Sequence, residues 1–147
     1  MYTFRPGKAI FAGLAATVAM TALMLMAPVM GLPPMNVGAM LASVMGGSNA
    51  IGWAAHFMAG AILALGFAVL FAPRLPGPSL VRGMAYGVVP WLAAQLVVMP
   101  MMGAGVFSGS AAAALGSLMG HLVYGAVLGA VYGAQGSKPA VAVAAGS

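Results

Sequence analysis

The chain of 147 residues contains no aspartate, no glutamate and no cysteine. Without side-chain carboxylates it cannot use carboxylate general acid–base catalysis, a carboxylate cage for a hard cation, or an Asp/Glu proton relay. Without thiols it has no disulfides, no cysteine nucleophile and no thiolate-held iron–sulfur cluster. Charge of either sign is scarce: 3% of residues are charged, and all five are Lys or Arg, for a net charge of +5. A soluble domain carries about a quarter charged residues, so this surface is not built for water. The positive balance does not point to nucleic acid as a partner. The few basic residues flank apolar runs, where a lipid bilayer and its headgroups are the expected contact.

What is present is apolar: 63% hydrophobic residues, with 22 glycines and 14 methionines. A membrane-spanning helix needs about 20 apolar residues, and the chain divides into four such runs, at about 9–31, 51–72, 83–102 and 111–134. The sequence predicts an all-α integral membrane four-helix bundle (residues 9–134) between a short N-terminal segment (1–8) and a flexible tail (135–147). The first run is too long for the h-region of a signal peptide, about 7–15 residues, and is expected to be retained as a span. Pro33 and Pro34 end it, and Asn36 is placed to cap a short non-crossing helix that reaches Met45. Residues 73–82, with three prolines and two arginines, form the clearest loop. Pro90 is expected to kink the third span, and Gln95, mid-span, to hydrogen-bond to another helix. Tyr86, Tyr132, Trp53 and Trp91 read as anchors at the membrane interfaces.

With four spans, Arg5, Lys8, Arg74, Arg82 and Lys138 all fall on one side. The positive-inside rule then puts both termini in the cytoplasm.

Two segments resemble each other. From His56, every fourth position is small: Gly60, Ala64, Ala68 and Ala72. From His121 the same spacing gives Gly125, Gly129 and Gly133. Pro28 to Gly31 also matches Pro100 to Gly103 in part. This predicts two parallel two-helix repeats. Residues four apart form a ridge, and a ridge of small residues lets backbones approach closely where lipid supplies no hydrophobic drive. The second and fourth spans are expected to meet along these ridges.

His56 and His121 are the side chains best suited to chemistry. As paired imidazoles on neighbouring spans they could ligate a haem b or another tetrapyrrole. With the thioethers of Met99, Met101 and Met102 they could form a soft copper site. The bland alternatives are that each histidine hydrogen-bonds across a helix contact, to Thr17, Thr21, Gln95, a tyrosine or a carbonyl, and that methionine fills apolar space.

The segments MTALMLMAPVMGLPPMN, GWAAHFMAGAILAL, LFAPRLPGP and GHLVYGAVLGAVYG resemble an uncharacterised family of small bacterial four-span membrane proteins, over roughly Gly13 to Gly133. The resemblance implies a fold and a bacterial inner-membrane location, and it brings no activity. The expected function is a structural or accessory subunit with no catalysis of its own, associating with other membrane subunits or with its own copy. Binding of haem or copper through His56 and His121 is the alternative, and a small transporter or channel is the third.

Overall fold

Proline and glycine set the boundaries of the helices. In the computed structural model, which describes residues 2–133, α1 (Pro6–Met26) opens on Pro6 in its first turn, where the missing N–H costs nothing. A 3₁₀ turn, Ala27–Met30, continues it past Pro28, and Gly31, in the left-handed region, closes it. The short helix α2 (Val37–Met45) begins at Asn36, whose side chain accepts from the Ala39 N–H at 2.9 Å. Gly46, again left-handed, ends it. The other long helices are α3 (Asn49–Gly66), α4 (Ser79–Ala93) and α5 (Ala111–Gly133).

With their irregular extensions, four helical segments are long and apolar enough to span a membrane: Pro6–Met30, Asn49–Phe71, Ser79–Met101 and Ala111–Gly133. Among the described residues there is no strand. The expected tail, residues 135–147, and Lys138 lie outside the described residues.

Two of the segments contain a wide π turn. One is Phe67–Phe71, after α3. The other is Ala94–Val98, directly after the buried Pro90 of α4. Proline disturbs the regular ladder of its own helix, and the turn that follows carries Gln95 into the interior with no exposed surface. There Gln95 Nε2 donates to Ser117 Oγ at 3.2 Å, and its Oε1 accepts from Ser108 Oγ at 2.8 Å. The mid-span glutamine thus ties α4 to α5 and to the loop between them.

The order around the bundle is α3, α1, α5, α4. The two central helices, α1 and α5, pack on each other; α3 packs on α1 and α4 packs on α5. This corrects the expected pairing of the second and fourth spans. Each small-residue ridge faces the long helix before it in the chain, α1 for α3 and α4 for α5, because elements consecutive in sequence tend to be adjacent in space. A side-chain carbon on Gly60 would collide with Thr17, and one on Gly13 would lie 2.6 Å from Ala64 Cβ. Ala68, next along that ridge, is fully buried. On the other side, Gly125 and Gly129 lie directly on the backbone of Gly83 and Ser79, and Gly133 lies against the Ser79 side chain. Gly83 and Gly87, unnoticed as a ridge in the sequence, complete that contact. The second and fourth spans are bridged instead by Tyr124, whose hydroxyl donates to the Gly60 carbonyl at 2.6 Å.

The aromatic residues also face inward more than expected. Tyr86 and Tyr132 are buried. Tyr86 donates to the Leu63 carbonyl at 2.7 Å, and Tyr132 meets the Tyr2 hydroxyl at 2.8 Å. Trp91 Nε1 donates to the Ala114 carbonyl at 3.1 Å, and Trp53 lies against Gly38 of α2. A phenol or indole in an apolar interior keeps its polar atom bonded, and here backbone carbonyls exposed by close helix packing supply the partners.

Candidate functional site

The α3–α1–α5–α4 order leaves a gap between α3 and α4, which touch mainly near Phe67–Phe71. A cavity of about 430 Å³ fills this gap. Thr17, Met20 and Met24 of α1 and Ser117, His121 and Tyr124 of α5 form its back wall. Met35, Val37, Met40 and Leu41, from the segment around α2, cover one end. Ala59 and Ile62 of α3 and Ala93 and Val98 of the third span also line it, and all four are exposed on the outside of the bundle. They therefore frame a mouth. Ala59, Ile62 and Ala93 fall near the middle of their segments, so the mouth opens sideways rather than at an end.

Both histidines line this cavity. Although 65 positions apart in sequence (121 − 56), they are brought to one space by the packing of α1 between their helices. His56 Nε2 lies 3.2 Å from Thr21 Oγ1, and its ring makes edge contacts with Trp53 and Phe57, each at 5.8 Å between centroids. His121 Nδ1–H donates to the Ser117 carbonyl at 2.8 Å. Since a carbonyl only accepts, Nδ1 carries the hydrogen, and in the neutral ring Nε2 holds the lone pair. A ligating histidine is held in this manner, with its other nitrogen bonded to a carbonyl. The His56–Thr21 bond is one of the cross-helix contacts expected for a plain structural histidine, whereas the carbonyl that His121 meets belongs to its own helix.

The methionines divide. Met99 and Met102 line the cavity, together with Met20, Met24, Met35 and Met40. Met101, grouped with Met99 and Met102 by sequence proximity, is 74% exposed and points elsewhere. Met101 ends a short helical turn and Met102 caps it with non-helical backbone angles, so neighbours in sequence do not share a face here. Met20 and Met24 could not be assigned to the site from sequence, because they lie on a different helix; their i, i+4 spacing on α1 is the signal that places them on one face. Both pack against Gly120, the residue before His121.

Among the described residues, no Lys or Arg lines this cavity. A haem would bring two propionates with no cation to meet them, so the lining fits a neutral guest better than a haem. Among the described residues no three His, Cys, Asp or Glu side chains gather as a metal site. The donor set available to a metal is imidazole and thioether, which is soft and suits Cu(I).

A family model matches residues 5–143, nearly the whole chain. The chain belongs to the family of unknown function DUF6789. No curated protein and no solved structure was found to match it. The cavity of this DUF6789 chain, with the residues around it, is therefore the ground for a functional reading.

Proposed function

We propose that this chain is a multi-pass membrane protein that holds a small neutral ligand between its spans and performs no catalysis of its own. The observation that carries the reading is the single cavity lined by His56, His121 and six methionines. Its volume, about 430 Å³, falls in the range of about 300–1,000 Å³ typical of pockets for organic ligands and exceeds what a lone ion needs. The lateral mouth suits a guest that partitions into lipid, and the His121 Nε2 lone pair suits one with a hydrogen-bond donor. Such a binding module is an accessory subunit in the sense expected from the sequence, or it acts alone.

The membrane setting proposed is a bacterial inner membrane, with both termini cytoplasmic. Arg5, Lys8 and Arg82 gather at one end of the bundle, and Arg74 lies in the loop that leads to Arg82; this one-sided charge supports the orientation. We also propose that the two hairpins are related repeats. Gly13 meets the Gly60–Ala64 ridge as Gly83 meets the Gly125–Gly129 ridge, which supports a common packing plan.

The test is purification from native membranes in a mild detergent, followed by native mass spectrometry and solvent extraction. The wild-type protein should retain one lipid-soluble molecule per chain. His121→Ala and Ala93→Trp, the latter filling the mouth from an exposed position, should retain it poorly. Equal retention by all three proteins, or none by the wild type, would overturn the reading. A second reading, Cu(I) held by His121 and the thioethers of Met20, Met24, Met99 and Met102, is favoured by the number of methionines in the lining. Metal analysis of the same sample separates it from the first, and an absorbance spectrum tests for haem.

A further inference from the structure

A second pocket, of about 270 Å³, lies at the opposite end of the fold from α2, where α1 and α4 begin. Arg5, Lys8 and Arg82 all line it, with Ser79, Tyr2 and Tyr132. Three of the chain's five cations thus share one concavity. They repel one another, and the sequence contains no side-chain carboxylate to neutralise them.

Two of the cations are held in place by backbone carbonyls. Lys8 Nζ donates to the Tyr132 carbonyl at 2.8 Å, and Arg82 Nη1 donates to the Ala72 carbonyl at 2.8 Å. Arg82 Nε is buried and has no hydrogen-bond partner among the described residues. An orphaned buried guanidinium nitrogen is costly, and it asks for an acceptor that no described residue supplies. Two helix N-termini add to the positive field. Neither α1 nor α4 has a side-chain cap or an acidic residue in its first turn, so the positive ends of both dipoles are uncompensated. Tyr2 closes the site from the N-terminal segment: its hydroxyl bonds to the Ala68 carbonyl and to Tyr132.

We propose that this pocket binds a phosphate group. The guanidinium of Arg82 presents planar N–H donors that match phosphate oxygens, and Lys8 adds a compact point charge. The phosphate belongs either to a lipid headgroup, as in basic pockets between membrane helices, or to a soluble anion. This site shares no residue with the histidine-lined cavity, and the proposal stands whether or not that cavity holds a ligand.

The experiment uses the full chain in dodecyl maltoside micelles and a phosphate-free buffer, so that no phosphate is present at the start. One arm adds inorganic phosphate, and the other adds phosphatidylglycerol. Thermal unfolding and native mass spectrometry read the response. The wild-type protein should be stabilised in at least one arm: by phosphatidylglycerol alone if the source is lipid, by inorganic phosphate if it is soluble. Arg82→Gln and Lys8→Gln should each weaken binding about fivefold. Arg74→Gln removes the same charge from the same end, but among the described residues the Arg74 side chain bonds only to the Val69 and Leu70 carbonyls and does not line the pocket. It should bind as the wild type does. No response of the wild type in either arm would overturn the proposal, and so would an equal loss in Arg74→Gln, which would indicate attraction by net charge alone. Should Arg82→Gln fail to fold, the wild-type response and Lys8→Gln still decide.

Discussion

A single added methyl group tests the packing plan of the second hairpin. In Gly125→Ala the new Cβ would fall on the Gly83 carbonyl oxygen, 2.8 Å from Gly83 C and 3.1 Å from Met84 Cα. All three atoms are backbone, so no side chain can swing away. The helices α4 and α5 must move apart by on the order of 1 Å, which forfeits about a quarter to a half of the dispersion attraction across that face. Overpacking of this kind costs about 1–3 kcal/mol. Alanine's better helix propensity returns up to about 1 kcal/mol. The rigid surroundings favour the upper end of the cost, leaving a net loss of about 1–2 kcal/mol. Gly7→Ala is the matched control: it lies in α1 and nothing comes within 4 Å of its new carbon, so only the propensity gain applies. Thermal unfolding in detergent should therefore show Gly125→Ala melting about 2–8 °C below the wild type and Gly7→Ala at or slightly above it. If the two variants melt together, the close approach of Gly125 to Gly83 is not what holds the hairpin.

Other expectations follow from single bonds. Gln95→Leu removes both the Ser117 and Ser108 partners and should lower stability by about 1–2 kcal/mol, at roughly 0.6 kcal/mol or somewhat more per interhelical bond; a denaturing-detergent titration that finds it unchanged would show the network to be incidental. Tyr124→Phe should cost about 0.6–1.7 kcal/mol, since it deletes the bond from α5 to Gly60 while keeping the ring. Burial, then the bond to Tyr132, pushes the Tyr2 phenol above its ordinary value. Its contribution is therefore complete below the unfolded phenol pKa, about 10, and is lost as pH rises through the higher folded value. Melting curves at rising alkaline pH should show the wild type losing its advantage over Tyr2→Phe, and a constant difference between them would refute the assignment.

The sequence by itself determined the number of long helices, their approximate limits and the residues with chemical potential. Those features are local: an apolar run of sufficient length, a proline at its end, an asparagine placed to cap the next helix. Absence was informative in the same way, because no fold can supply a carboxylate or thiol that the chain lacks. The tertiary structure alone decided which ridge meets which helix. A Gly/Ala ladder states that something approaches closely, but not what, and the partners Gly83, Gly87 and Gly13 belong to helices whose own small residues carry no histidine to mark them. It also decided that His56 and His121 share one cavity while Met101 faces away from it, and that Tyr86 and Tyr132 turn inward. The basic pocket is a further product of packing: Arg5 precedes α1, Lys8 lies in α1 and Arg82 in α4, and only the docking of α1 and α4 around α5 gathers their charge at one point. Helix formation depends on neighbours along the chain, whereas a site depends on neighbours in space.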